Sequence, residues 1–219
     1  MDIKKSIILI LVSFAFTGWM FGITLSKSGI YTPSISNIVE LRNIETGIDA
    51  DDLIDQIKKV LRSNPKRIKI KVNSSGGRIV QGERIYNYLS NIKIPVHSYI
   101  DNECLSACYY AISSSDIIYA SKSSVVGNIG VMHPEPIPPF EIFAWAGKYK
   151  NTKPEKEFIR KHLTKSAITT HKEMIKDIKK FRETRLKGSN QELFEGLIWT
   201  GIDAKRLGLI DEYGDLNGF

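Results

Sequence analysis

Ser106 has the sequence setting of a nucleophile. It follows a polar turn at residues 102–103 and lies within an apolar stretch that predicts a helix over residues 105–112. A serine at the amino end of a helix can attack a carbonyl carbon, while the next N–H, on Ala107, faces the developing oxyanion. The same position suits a helix cap, so Ser106 on its own supports either interpretation.

Two residues further along the chain are candidate bases for this serine. Lys150 lies just before a basic segment, and a lysine acts as a general base only if burial and a neighbouring cation lower its pKa from about 10.4 toward neutrality. His133 is the alternative base, because a neutral imidazole needs no such lowering of its pKa. Either pairing would perform acyl transfer through a covalent serine ester.

A pair of glycines supplies a candidate oxyanion site. Gly76 and Gly77 come between a predicted strand and a predicted helix. Glycines at such a point allow backbone N–H groups to face a ligand, as an oxyanion requires. A plain tight turn is the alternative interpretation.

Two cysteines flank the candidate nucleophile. Cys104 and Cys108 are four positions apart, and a helix would place their Cα atoms about 6 Å apart, inside the range of a disulfide. A disulfide and two small buried thiols both fit this spacing. Because the chain has only two cysteines, a disulfide framework and a four-thiolate zinc site are excluded, and we expect no metal or other cofactor.

The elements that must position these residues alternate between strands and helices. Apolar periodicity predicts strands at 37–45, 67–72, 95–100, 117–120 and 125–132, and helices at 49–63, 79–89, 105–112 and 158–186. Strands separated by helices form parallel crossover units, so the sequence predicts an α/β layered fold.

The N-terminus predicts a membrane anchor. Residues 6–25 are almost uncharged and numerous enough to cross a bilayer as a helix. No pair of small residues marks a cleavage site after them, which favours an uncleaved anchor over a signal peptide. Lys4 and Lys5 would remain inside, so the rest of the chain would lie across the membrane. The expected organisation is an anchor at 1–27, a linker at 28–36 and one domain at 37–219.

The net charge of +7 belongs to one segment. Residues 148–187 hold 14 basic and 5 acidic side chains, which leaves 17 basic and 19 acidic side chains elsewhere in the 219-residue chain. A nucleic-acid-binding protein would carry its basic residues along a surface built from the whole fold. We therefore expect no nucleic-acid partner.

Several segments, in this order, resemble the signal peptide peptidase A (SppA) family of membrane-anchored serine proteases, and more distantly ClpP. They are 73–77, 104–110, 127–131, 147–150 and the closing segment 199–214. The resemblance covers about residues 67–219 and implies a ClpP/crotonase-like layered fold. It also implies a homo-oligomer, in which the lysine can come from a neighbouring subunit.

The resemblance assigns roles to the candidate residues. Ser106 would be the nucleophile and Lys150 its base, as a serine–lysine dyad. The N–H groups of Gly77 and Ala107, supported by Gly76, would form the oxyanion hole. Ser75 stands where the family has proline, which should loosen the turn but preserve its glycines.

The function expected from the resemblance is that of a serine endopeptidase. The enzyme would be a single-pass protein of the inner or cytoplasmic membrane, with its catalytic domain on the periplasmic side. Its substrates would be residual signal peptides or other unfolded hydrophobic peptides. The alternatives are a catalytically silent scaffold of the same fold and a protease that pairs Ser106 with His133. A crotonase-type acyl-CoA enzyme is disfavoured, because an exported domain would not meet CoA.

Overall fold

The computed structural model describes residues 38–44, 47–137, 140–146 and 157–214. All of them belong to a unit that runs from Ser36 to Phe219. The predicted anchor, the predicted linker and Lys150 lie outside the described residues. Within the described ranges, no helix is both long and apolar enough to span a membrane.

Nine strands and six helices are described. The strands are β1 Ile38–Leu41, β2 Ile68–Ser74, β3 Val96–Leu105, β4 Ile117–Ala120, β5 Val125–Gly127, β6 Val131–Ile137, β7 Phe140–Ala146, β8 Ile198–Thr200 and β9 Glu212–Tyr213. The helices are α1 Gly47–Leu61, α2 Ile79–Leu89, α3 Ala107–Ile112, α4 Glu157–Arg182, α5 Asn190–Phe194 and α6 Gly201–Leu207.

The main sheet is parallel along the order β1-β2-β3-β4-β9. β5 also pairs with β3 in parallel, and β8 pairs with β5 in antiparallel fashion. β6 and β7 form a separate antiparallel hairpin. The predicted mixed α/β fold with parallel crossover units is therefore confirmed.

The core follows from the apolar spacing of the sequence. Along β2 the side chains of Ile68, Ile70 and Val72 alternate inward and are fully buried. On α1, Leu53 and Ile57 are four residues apart and face the same core. Burial of each such side chain is worth about 1.5–3 kcal/mol, so this layer fixes the sheet that carries the site.

The structure corrects the predicted elements at two places near the site. β3 continues to Leu105, whereas the sequence predicted a strand that ends at residue 100 and a helix that begins at residue 105. The predicted strand at 125–132 is split into β5 and β6, because Gly127 and Asn128 have positive φ angles of 116° and 50° that interrupt an extended chain.

Candidate active site

Ser106 is the single residue between β3 and α3. Its backbone has φ 57° and ψ −124°, in a region that costs a residue with a Cβ about 1–3 kcal/mol. The Ser106 N–H donates a hydrogen bond of 2.8 Å to the carbonyl oxygen of Gly127 at the end of β5. The serine is half-buried, at the carboxyl end of a parallel strand and the amino end of a helix. Such a turn presents a nucleophile to a substrate.

The helix-cap interpretation of Ser106 is wrong. Its side chain makes no capping hydrogen bond to the first turn of α3. The first N–H groups of a helix have no partner within the helix, and that of Ala107 is the first in α3. The geometry therefore leaves the serine hydroxyl to a role other than capping and places an amide donor directly after it.

The glycine turn packs against the nucleophile turn. A Cβ built on Gly76 would lie 2.8 Å from the Leu105 carbonyl oxygen, 2.9 Å from Ser106 Cβ and 3.5 Å from the Ala107 nitrogen. Gly76 has φ 113° and Gly77 has φ 145°, so both need the conformational freedom of glycine. The approach requires a residue without a side chain, which a plain tight turn would not require.

Bonds on both sides hold the glycine turn in this place. The Gly76 N–H donates to Ser74 Oγ at 3.2 Å, and Ser74 is buried. On the far side, Gly77 forms an isolated parallel bridge with Ile44, and the Arg78 N–H donates to the Ile44 carbonyl oxygen at 2.9 Å. The turn that faces Ser106 is thus tied to β2 and to the chain after β1.

Cys104 and Cys108 are joined by a disulfide with a Cα–Cα distance of 5.3 Å. Both residues are fully buried. The two cysteines do not share a helix, as their four-residue spacing suggested, since Cys104 lies on β3 and Cys108 lies on α3. The bond therefore crosses the turn that contains Ser106.

Two tyrosines anchor α3 beneath the serine. The Tyr109 hydroxyl donates to the Leu209 carbonyl oxygen at 2.8 Å, and the Tyr110 hydroxyl donates to Asp177 Oδ2 at 2.5 Å. Burial raises the pKa of Tyr109 to about 12. Burial and the hydrogen bond to the Asp177 carboxylate also raise the pKa of Tyr110 well above its usual range. Both hydroxyls are therefore protonated donors at neutral pH.

A buried ion pair under α3 was not identified from the sequence. The Arg182 guanidinium is fully buried and donates to Asp211 Oδ2 at 2.7 Å and to Asp211 Oδ1 at 3.1 Å. It also donates to the carbonyl oxygens of Gly208 and Leu209, the second of which accepts the Tyr109 hydroxyl. Arg182 lies at the end of a lysine-rich helix, and the sequence pattern of such a helix predicts solvent-exposed basic side chains. The pattern therefore gave no sign that Arg182 forms a buried ion pair.

Two histidines lie on strands of the described fold. His133 lies on β6 and is paired with Ala144 of β7 in the hairpin. His97 lies on β3 nine residues before Ser106, which is roughly 30 Å of extended chain. The pairing of Ser106 with Lys150 or with His133 stays a prediction.

The described geometry suits acyl transfer. Gly76, Ser106 and Ala107 are brought together, with Gly77 next in the chain after Gly76. A nucleophile with an oxyanion site needs three parts. These are a hydroxyl at the end of a strand, an amide at the start of a helix and a second backbone segment at close approach.

No family model matches the chain. The Na(+)/H(+) antiporter NhaA of Brucella abortus (strain 2308) is 33% identical over 168 residues, which are 69% of this chain and 23% of the antiporter. The protein named "Putative protease MJ0651" of Methanocaldococcus jannaschii is 29% identical over 181 residues, 74% of this chain and 56% of that protein. The protein named "Putative signal peptide peptidase SppA" of Enterococcus faecium is 32% identical over 85 residues, 37% of this chain and 25% of that protein. The chain thus spans between about a quarter and just over half of these relatives.

Two solved structures share the fold. A serine-to-alanine mutant of the 1510-N membrane-bound stomatin-specific protease has a TM-score of 0.58 and 19% identity, over 82% of this chain and 80% of that one. The ClpP protease catalytic domain from Plasmodium falciparum has a TM-score of 0.58 and 18% identity, over 82% and 85%. The fold of this chain is a ClpP-like protease fold. Together with the relatives named as a protease and as SppA, it confirms the SppA/ClpP resemblance that the sequence predicted.

Proposed function

We propose that this chain is a serine endopeptidase with Ser106 as its nucleophile and Lys150 as its base. The observation that carries the proposal is the strained Ser106 turn, packed against Gly76 and followed directly by the Ala107 N–H. A backbone strained at a residue with a nucleophilic side chain is a mark of a functional site.

The reaction begins with transfer of the Ser106 proton to the neutral amine of Lys150 as Oγ attacks the substrate carbonyl carbon. The N–H groups of Gly77 and Ala107 bind the oxyanion, and one such donor is typically worth about 3 kcal/mol of barrier. The protonated lysine then gives its proton to the leaving amine. Water, activated by the same amine, attacks the acyl-enzyme and releases the acid product and Ser106.

The proposed substrates are residual signal peptides and other unfolded hydrophobic peptides. Two observations support a location at the membrane. One is the apolar run at residues 6–25, and the other is the resemblance to membrane-anchored proteases. The Cys104–Cys108 disulfide supports an oxidising, periplasmic location for the domain. We further propose that the protein is a homo-oligomer in which Lys150 can act across a subunit interface.

The test is hydrolysis of a fluorogenic unfolded protein by the full-length chain in detergent. The parent is compared with Ser106→Ala, Lys150→Ala and His133→Ala, and Lys148→Ala serves as the matched lysine control. We expect Ser106→Ala and Lys150→Ala to lose at least about 10³-fold in kcat, while the other two variants retain activity.

Other results would replace parts of the proposal. Loss of activity in His133→Ala with activity retained in Lys150→Ala would make the enzyme a serine–histidine protease. A parent protein that assembles but hydrolyses none of the substrates would favour the alternative of a scaffold without catalytic activity. Size measurement of each variant shows whether lost activity reflects lost assembly.

A further inference from the structure

Three constraints hold the Ser106 backbone in its unfavourable conformation. The first is the hydrogen bond from the Ser106 N–H to the Gly127 carbonyl oxygen, and the second is the close packing of Gly76. The third is the disulfide between Cys104 and Cys108. A strained residue keeps its conformation only when its surroundings determine it more than once.

The disulfide is the covalent constraint among the three. Cys104 is paired with Val126 of β5 and with Ser74 of β2, so one end of the bond is fixed in the sheet. Cys108 is the second residue of α3, so the other end is fixed in the first turn of the helix. The bond closes a loop around Ser106 and ties the strand before it to the helix after it.

The rest of α3 does not depend on the disulfide. Tyr109 and Tyr110 anchor the helix through hydrogen bonds to the Leu209 carbonyl oxygen and to Asp177. Every residue of the helix is also buried in the core. Opening the disulfide should therefore release the turn while the helix stays in its place.

We propose that the Cys104–Cys108 disulfide is a positioning element for catalysis, and that its reduction lowers turnover without unfolding the domain. This inference rests on the proposed function, because it assigns the disulfide a role in the reaction of Ser106. The bond holds Ser106 Oγ and the Ala107 N–H in the relative positions that attack and oxyanion binding require. Small displacements at such a site cost rate steeply, since about 1 Å of misplacement costs about a hundredfold.

The reduction is a thiol–disulfide exchange with a dithiol. A thiolate of the reductant attacks one cysteine sulfur and forms a mixed disulfide, and the second thiol of the reductant then displaces that cysteine. Two electrons and two protons pass to Cys104 and Cys108, and the reductant becomes a disulfide. Because both cysteines are fully buried, the reductant reaches them only when the turn opens locally, so reduction of the native protein is slow.

The test compares three forms of the full-length chain. The first is oxidised, the second is reduced with a dithiol and then alkylated, and the third is the double variant in which Cys104→Ala and Cys108→Ala are combined. Ile112→Val is the matched control, because it removes packing at the other end of α3 without touching the turn. We expect the reduced chain and the double variant to lose about tenfold or more in kcat, with KM within about twofold of the parent. Ile112→Val should lower the melting temperature and keep kcat, and dithiol should not change the double variant.

Amide hydrogen exchange gives a readout that needs no activity. We expect the Ser106 and Ala107 N–H groups to exchange faster in the reduced chain and the double variant, while the amides later in α3 keep their protection. Equal kcat in all three states, or equal exchange at Ser106, would overturn the proposed role of the disulfide. A parent that is inactive in both redox states but shows the faster exchange would overturn the protease proposal and leave the positioning of the turn established.

Discussion

The two halves of β3 serve different purposes. Residues 96–100 are all buried and are held between β2 and β4. Residues 101–105 leave β4, take β5 as a new neighbour and expose part of their polar side chains. The first half belongs to the core of the sheet, and the second half leads to Ser106 and positions it. One strand thus carries both the stability of the sheet and the strain of the candidate site.

Two serines show the same contrast. Ser98, in the first half, is fully buried and its hydroxyl shares a hydrogen bond of 2.8 Å with that of Ser115. Ser106, after the second half, is half-buried, makes no capping bond and has a positive φ. The Ser98 hydroxyl is buried and hydrogen-bonded on regular backbone, which suits a structural role, whereas the strained backbone of Ser106 is a mark of a functional site.

Gly76→Ala should have the largest combined effect on turnover and stability among variants that keep the Ser106 hydroxyl, because it acts on the turn that follows the second half of β3. The new Cβ would lie 2.8 Å from the Leu105 carbonyl oxygen at φ 113°, so the turn or Ser106 must move. We expect kcat to fall about a hundredfold or more and the free energy of unfolding to fall by about 2 kcal/mol. Peptide hydrolysis and urea unfolding measure both. Gly188→Ala is the control, since its Cβ meets only leucine side chains, and equal kcat for both variants would contradict the account.

Ile100→Ala tests the first half of the strand. Ile100 is fully buried and pairs with Val72 and Ala120, so its truncation leaves a cavity in the sheet core. We expect the free energy of unfolding to fall by about 3 kcal/mol, with kcat close to that of the parent where the variant is folded. Exposed Asn102 is the control, because Asn102→Ala should change stability by less than about 0.5 kcal/mol. A large loss of kcat in folded Ile100→Ala would show that the two halves of β3 do not serve stability and catalysis separately.

A pair of variants at Ser106 isolates the backbone strain. Ser106→Gly and Ser106→Ala both lack the hydroxyl, so both should be inactive, but only glycine adopts φ 57° and ψ −124° without strain. We expect Ser106→Gly to be more stable than Ser106→Ala by about 1 kcal/mol, after the higher entropy of unfolded glycine is subtracted. Thermal unfolding of the two proteins is the measurement. If Ser106→Ala were the more stable one, the turn would not be strained.

His97 should produce the smallest effect, as a dependence of stability on pH. Burial, followed by the charge of Arg67, holds the pKa of His97 below its usual value of 6.5, against the opposite influence of Asp116. Its Nδ1 is buried without a hydrogen-bond partner, and the Tyr119 ring lies 5.9 Å away. Between the lowered pKa of folded His97 and about 6.5, the unfolded chain binds more protons at this residue than the folded chain does. The contribution of neutral His97 to the free energy of unfolding is therefore present above about pH 6.5 and is lost as the pH falls through that window.

The measurement for His97 is urea unfolding at about pH 7.5 and about pH 5.5. Part of the loss of stability on acidification should be absent from His97→Gln, which cannot be protonated. Parallel losses in the parent and the variant would remove His97 from the pH dependence.

Much of the fold could be predicted because its signals are local. Apolar alternation predicted strands such as β2, and apolar spacing predicted a helix over residues 158–186, where α4 buries Ala167, Met174 and Ile178. The sequence also predicted that the glycine pair and Ser106 share a site, and Gly76 does lie against Ser106. The roles of Ser106 and Lys150 in catalysis stay predictions.

The remaining features depend on contacts between distant parts of the chain. Residues 101–105 are mostly polar, and the strand continues through them to residue 105, where residues 103–105 pair with β5. The positive φ of Ser106 is held by Gly127 and Gly76, which no local pattern reveals. Arg182 reads as one more cation of a basic helix, and only the fold brings Asp211 to it.

The most direct test of the central claim is to map the site of a covalent serine-directed probe. The full-length oxidised chain is treated with a fluorophosphonate, digested and analysed by mass spectrometry. We predict one adduct, on Ser106, and a loss of peptide hydrolysis in proportion to labelling. Hydrolysis that continues with Ser106 unmodified, or an adduct on another residue that parallels the loss of activity, would contradict it.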